Sequence, residues 1–141
     1  MNYDLLKLEN QLCFPLYACS KEIIRKYKPF LDPLGLTYTQ YITLLALWEE
    51  DNLTVKALGE KLYLDSGTLT PLLKKMELQS LILRVRSSDD ERNVYIKLTE
   101  EGRGLRDRAA EVPEQIGKCI SLSPEEVRFL HQTLYKILNQ F

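Results

Sequence analysis

Between Thr54 and Leu98 the spacing of apolar residues changes from helical to extended, and no other stretch restricts the fold as strongly. Val55, Leu58 and Leu62 recur at steps of three and four. After the turn YLDSG, Leu69, Leu72, Leu73 and Met76 resume the same spacing. From Leu81 the period is two: Leu81, Leu83 and Val85 alternate with Ile82, Arg84 and Arg86, and Val94, Ile96 and Leu98 alternate with Tyr95 and Lys97. The polar loop SSDDERN separates the two runs. The pattern predicts two short helices joined by a tight turn, then a two-stranded hairpin. Thr54 is placed to cap the first helix. The second runs from about Ser66 to Gln79, with Pro71 in its first turns, where proline is tolerable.

The flanks are helical. Leu5, Leu8, Leu12, Leu16, Cys19, Ile23, Tyr27 and Phe30 form one stripe, with Cys19 expected to pack in the core. Pro15 lacks an N–H and crowds the carbonyl of Gln11, so it predicts a kink or the true start of the helix. DPLG at 32–35 stops it. Thr37 and Gln40 fit a capping box, with Leu36 stapled onto Tyr41. The helix they open runs to about Glu50 and carries Tyr41, Leu44, Leu45 and Trp48. Thr99, followed by Glu100 and Glu101, opens a long helix that Pro113 is expected to kink. SPEE at 123–126 starts a last helix with Val127, Leu130, Leu134, Ile137, Leu138 and Phe141. The fold class is mainly α with a small β-hairpin. One domain is expected, with a winged helix-turn-helix core over about 37–98 and the helix-turn-helix itself over about 54–77.

Composition removes several function classes. No apolar run approaches the roughly 18 residues of a membrane helix, and MNYDLLKLENQ is no secretory leader. Without a leader, the three cysteines are expected to be reduced, in the cytoplasm. The single histidine, His131, is read as a surface residue. It leaves no zinc site and no Ser–His–Asp system, and no glycine-rich phosphate loop is present, so neither metal nor cofactor is expected.

Nucleic acid remains. The net charge is −1, yet residues 54–86 hold six Lys/Arg against three Asp/Glu. Away from its apolar stripe the second short helix offers Asp65, Ser66, Thr68, Thr70, Lys74 and Lys75, small and basic groups suited to the major groove and its phosphates. Arg84 and Arg86 share one face of the hairpin. Arg92 lies beside Asp89, Asp90 and Glu91, an arrangement that makes sense if an acid holds the guanidinium in one pose for the minor groove.

The run LTVKALGEKLYLDSGTLTPLLKKMELQSLILRVRSSDDERNVYIKLTEEG resembles the DNA-binding core of MarR-type transcriptional repressors. LDSGTLTPLLKKM and the wing DDER look like the OhrR-like subgroup that senses organic hydroperoxides, and the likeness runs from NQLCF to the last helix. The resemblance implies a homodimer built through helices at about 4–32 and 99–141, which binds a pseudo-palindromic double-stranded operator and represses a peroxidase gene. It implies DNA contacts from Asp65, Ser66, Thr68, Thr70, Lys74 and Lys75, with Arg84 and Arg86 by the backbone and Arg92 in the minor groove, oriented by Asp90. The cysteine of QLCF, Cys13, matches the peroxide-reactive thiol, and Tyr17, Tyr27 and Tyr38 match the tyrosines that hold its thiolate. Cys119 is a candidate resolving thiol, since some members use a second cysteine near this position.

Three rivals stay open at this level. A thiol peroxidase would use Cys13 and turn over peroxide steadily. A MarR-type repressor that responds to a small aromatic ligand would leave Cys13 incidental. A protein-interaction module would bind no DNA at low salt.

Overall fold

A computed structural model describes residues 1–141 and contains seven α-helices and three short strands. The chain opens with 3-10 turns at Asp4–Leu6 and Leu8–Asn10. Asn10 Nδ2 donates to the Asp4 carbonyl at 2.7 Å and Gln11 Nε2 to the Leu5 carbonyl at 2.6 Å, which ties the segment together. Helix α1 then runs Cys13–Leu31. Pro15 falls in its first turn, where a missing N–H loses no hydrogen bond, so the helix begins there as the proline required. After a 3-10 turn at Asp32–Leu34, Gly35 takes φ of 70°, a left-handed conformation that glycine adopts without a Cβ clash. Helix α2, Tyr38–Glu49, starts from the expected capping box: Gln40 N–H donates to Thr37 Oγ1 and Thr37 N–H to Gln40 Oε1.

Strand β1 is Leu53–Thr54, α3 Val55–Leu62, α4 Ser66–Leu78, β2 Ile82–Arg86 and β3 Val94–Leu98. Helices α5 (Glu100–Ala109), α6 (Val112–Cys119) and α7 (Pro124–Leu138) complete the chain. The sheet has three strands rather than two, in the order β1-β3-β2, because two residues before α3 pair with β3. So short a strand carries no period for sequence reading to find. The helix opened by Thr99 is two helices. Pro113, at the start of α6, has no N–H to offer and crowds the carbonyl of Ala109, so the chain breaks at Ala110 and Glu111 instead of kinking.

The hairpin corrects a second expectation. Ile82 pairs with Leu98, Arg84 with Ile96 and Arg86 with Val94, and that face turns inward. Leu83 and Val85 point outward beside Lys97 and Tyr95, at 52% and 41% exposure. Leu81 and Ile82 are both buried, so the apolar alternation is broken at the strand's first residue and the exposed set is the apolar one.

The core lies in the lobe built by α2–α5 and the sheet. Helix α2 runs through it, with Gln40, Tyr41, Thr43, Leu44, Ala46 and Leu47 buried, while Leu45 faces outward. Its two buried polar side chains are satisfied: Gln40 Nε2 donates to Gln79 Oε1 at 2.8 Å and Thr43 Oγ1 to the Thr39 carbonyl. Trp48 Nε1 donates to the Gly102 carbonyl at 2.9 Å, fastening α5 to α2. Asp51 accepts the Leu98 N–H at 2.9 Å and faces Arg103 at 3.3 Å. Partial burial by itself raises the Asp51 carboxyl, but these hydrogen bonds together outweigh that effect, and it titrates below the usual range.

Helices α1 and α6 pack on each other and reach the core through Leu31 and Val112, with Ile116 buried beside them, while the N-terminal stripe and α7 are open. No residue of α7 is buried, and α7 packs extensively on no other element. Leu5, Leu8, Leu12 and Leu16 of the N-terminal stripe are exposed, as are Phe14, Val127, Phe129, Leu130 and Leu134. The accessible surface is 10503 Å² for 16.4 kDa, where a monomeric globular protein of that mass exposes about 7,500 Å².

Candidate DNA interface and thiol site

Helix α4 is positioned by its own cap. Asp65 accepts the Thr68 N–H at 2.8 Å, which fixes the first turn and holds the Asp65 carboxyl below its usual range. Sequence reasoning set Asp65 with the groove-facing residues; its observed contact is this cap. At 100° per residue, the remaining predicted groups divide into two flanks. Ser66, Thr70 and Lys74 lie on one side of the ridge opposite Leu69, Leu73 and Met76. Thr68 and Lys75 lie on the other. Gly67 and Pro71 run along the ridge, so its N-terminal half carries no long side chain and the backbone can approach a flat ligand closely.

Two strands and their loop hold the wing arginines. Ser87 Oγ accepts the N–H groups of Asp89 and Asp90, and Asn93 N–H donates to the Asp90 carbonyl at 2.9 Å. In this turn Arg92 meets Asp90 three times: its backbone N–H at 3.0 Å, Nε at 3.1 Å to Oδ1, and a terminal nitrogen at 3.1 Å to Oδ2. The Arg92 guanidinium beside Asp90 holds that carboxyl below its usual range. Arg92 is nonetheless 91% exposed, a fixed charge at the tip of the wing. Arg86 donates to the Glu91 carbonyl at 3.0 Å and so braces the same loop. Arg84 sits on the inward face, partly buried, and its Nε is shut off from solvent without an acceptor. The two flanks of α4 and the wing thus present Ser66, Thr68, Thr70, Lys74, Lys75, Arg86 and Arg92 at the surface of one lobe.

The thiol lies elsewhere. Cys13 is the first residue of α1 and exposed, with Tyr17 one turn along and Lys21 Nζ 5.1 Å from the Tyr17 ring centre. Tyr27 and Tyr38 come together, ring centres 4.9 Å apart, and Tyr41 joins them at 5.8 Å and 6.4 Å. Burial, then the neighbouring phenols Tyr38 and Tyr41, push the Tyr27 hydroxyl up to about 12, and burial raises Tyr38 and Tyr41 as well. All three are kept protonated as O–H donors. Tyr41, read from the sequence as an inward-facing residue, is buried as expected and also adjoins this cluster. Within one chain this cluster does not reach Cys13, because fourteen residues of helix separate Tyr27 from it by about 21 Å. Those fourteen residues bring the chain back to nearly the same face of α1, so thiol and phenols lie at opposite ends of one stripe.

Cys19 is exposed, contrary to the expected core packing, whereas Ile23 and Tyr27 further along the same stripe are partly buried. Cys119 ends α6, exposed, with its Sγ 3.5 Å from the Gln115 carbonyl. His131 is exposed as expected and stacks against Tyr135 at 4.8 Å. No group of residues is arranged to hold a metal ion, and no helix is long and apolar enough to cross a membrane.

Residues 25–109 match the transcriptional regulator SarA/Rot family. The chain is 54% identical over 136 residues to the organic hydroperoxide resistance transcriptional regulator of Bacillus subtilis, covering 96% of this chain and 92% of that protein. Among solved structures it is similar to reduced AbfR bound to DNA, at 35% identity and a TM-score of 0.79 over 97% of this chain and 95% of that one. Disulfide-formed AbfR gives 37% identity and a TM-score of 0.66 over 96% and 95% of the two chains. Overoxidised AbfR bound to DNA gives the same TM-score of 0.79 as the reduced complex, so this chain is closer in shape to the DNA-bound forms than to the disulfide form, whatever their redox state.

Proposed function

The chain belongs to the MarR family of winged-helix transcriptional regulators, in the branch that holds the SarA/Rot regulators and the organic hydroperoxide resistance regulator, and from that premise we propose how its residues act. It is a redox-sensing, DNA-binding transcriptional regulator. It works in the cytoplasm as a homodimer on a pseudo-palindromic operator. Ser66, Thr68, Thr70, Lys74 and Lys75 meet the major groove, Asp65 holds α4 in place, Arg84 and Arg86 lie at the backbone, and Arg92 enters the minor groove in the pose Asp90 gives it.

Cys13 is the sensor. The observation that carries this reading is the shared stripe of α1, with an exposed thiol at one end and protonated phenols at the other. A two-fold axis crossing α1 near Ser20 would run two such helices antiparallel. It would set Cys13 of one protomer against Tyr27 and Tyr38 of the partner subunit, with its own Tyr17 alongside. Phenol O–H donors favour a thiolate by hydrogen bonding. The thiolate attacks the distal oxygen of an organic hydroperoxide. The S–O bond forms, the O–O bond breaks, the peroxide is reduced to an alcohol that takes up a proton, and Cys13 is oxidised to a sulfenic acid. The phenol contacts change at that point, and because they span the two subunits the change moves the winged lobes relative to the base. Cys119 of the partner subunit then displaces water from the sulfenic acid to give a disulfide. No turnover follows.

The test is operator binding before and after cumene hydroperoxide. Wild type should release DNA, and Cys13→Ser should bind equally well and stay bound. Release that persists in Cys13→Ser, or sustained peroxide consumption in the presence of a thiol reductant, would sink this reading.

A further inference from the structure

Two glutamine amides join the end of α4 to the link between α1 and α2. Gln40 lies in the first turn of α2 and is 1% exposed. Its Oε1 accepts the Thr37 N–H at 3.1 Å, and its Nε2 donates to Gln79 Oε1 at 2.8 Å. Gln79 follows the last residue of α4, and its Nε2 donates in turn to the Gly35 carbonyl at 3.4 Å. The direction of this chain of hydrogen bonds is fixed at both ends, because a backbone N–H only donates and a carbonyl only accepts. Neither amide can flip without losing the bond on each side of it. The link is therefore clasped by the end of α4, at Gly35 by Gln79 itself and at Thr37 through Gln40.

The same turn of α2 carries the phenols. Tyr38 is the first residue of α2 and Tyr41 follows one turn on, and both rings lie against Tyr27 of α1. Phenols and clasp thus hang from residues 37–41, and the Tyr41 N–H donates to the Thr37 carbonyl at 2.9 Å to make them one helical turn. Such a turn moves as a unit. If it moved away from α4, the buried Gln40 amide would lose its partner, which is unfavourable, so the end of α4 follows it.

We propose that Gln79 is the positioning residue through which a shift in the first turn of α2 reaches α4. The inference rests on the thiol-sensing reading above and supplies its connection between Tyr38 and the DNA-binding helix. When the contacts of Tyr27 and Tyr38 change, the turn that carries Tyr38 and Gln40 moves. The amide pair draws the C-terminal end of α4 with it, and the groove-facing groups of α4 lose their register. Gln40 reads in the sequence as half of a capping box and Gln79 as the end of a helix. Nothing local joins two glutamines that stand 39 residues apart.

The experiment uses the full chain and a duplex selected by reduced wild type from a random 30-base-pair pool. Affinity for that duplex is measured before and after cumene hydroperoxide, and the readout is the ratio of the two. The ratio reports coupling between the sites, whereas a merely structural residue weakens both forms alike. For wild type it should be about tenfold or more. Gln79→Leu keeps the bulk and removes both side-chain hydrogen bonds. Reduced, it should bind within about threefold of wild type, and its ratio should fall to within about threefold of unity. Gln79→Glu still accepts from Gln40 but has no donor for Gly35. It should lower the ratio in the same direction, and it keeps the test decisive should Gln79→Leu misfold. Loss of the free Cys13 thiol, followed by mass spectrometry, should match wild type in both variants. A wild-type ratio in the variants overturns the proposal, as does an equal loss of affinity from both forms. So does a variant whose Cys13 no longer oxidises, since Gln79 would then act on the thiol and not beyond it. If wild type keeps its duplex after peroxide, the thiol-sensing reading itself has failed, and with it the proposal.

Discussion

Arg92 carries a charge that the wing holds in place before any DNA arrives. Its guanidinium is engaged twice by one carboxylate and yet is almost wholly exposed, so its ordering is achieved in the free protein. Arg92→Ala should therefore weaken operator binding by about 1–3 kcal/mol. The melting temperature should not change, because no other part of the lobe depends on that side chain. Gel-shift titration alongside thermal melting checks this, and unchanged affinity would remove Arg92 from the interface. That one of Asp89, Asp90 and Glu91 holds Arg92 was legible in the residues, and the choice of Asp90 among them came from the resemblance to the family's wing. The inward position of Arg84 was not legible, since an arginine on a strand reads as surface until the strand's inward face is known. Cys13 and its tyrosines stand between these cases. The residues were recognisable, but the distance of about 21 Å between them in one chain belongs to the helix.

Elements in this chain start where side chains cap them and stop where packing or proline intervenes. Thr37, Thr54, Asp65, Thr99 and Ser123 each accept an N–H three residues on; the caps at Thr37, Thr54, Thr99 and Ser123 were visible in the sequence, while Asp65 was read there as a groove-facing residue. Helix α5 shows what a cap cannot reveal. Its Gly102 lies so close to the hairpin that a Cβ would overlap the Leu81 carbonyl oxygen, while Gly104, two residues on, meets nothing within 4 Å. Gly102→Ala should cost about 1–3 kcal/mol of stability through forced separation of α5 from Leu81 and Trp48. Gly104→Ala should be neutral or stabilising by up to about 1 kcal/mol, since alanine is the better helix former. Chemical denaturation of the two variants side by side decides the matter; equal effects would mean that α5 is not held against the sheet. Both glycines look the same in the sequence, GRG being symmetrical about Arg103.

The proposed homodimer would cover surface that the single chain leaves open. The chain's surplus surface of about 3,000 Å² lies on the N-terminal stripe, α1 and α7, a quantity of the order that obligate dimers bury. Sedimentation should give twice 16.4 kDa, with a melting temperature that rises with protein concentration. Under cumene hydroperoxide, non-reducing gels should show a covalent dimer that Cys119→Ser abolishes and Cys19→Ser does not. An oxidised wild type that runs as a monomer would leave Cys119 without a resolving role. By itself the sequence determined the helices, their caps, the hairpin and its charged loop, because capping, periodicity and turn chemistry act over about four residues. Only the tertiary structure decided which face of β2 turns inward, that two residues before α3 form a third strand, and that Gln79 meets Gln40 and Gly35. Each of these depends on a partner tens of residues away, whose position comes from the packing of the lobe and from no local pattern in the chain.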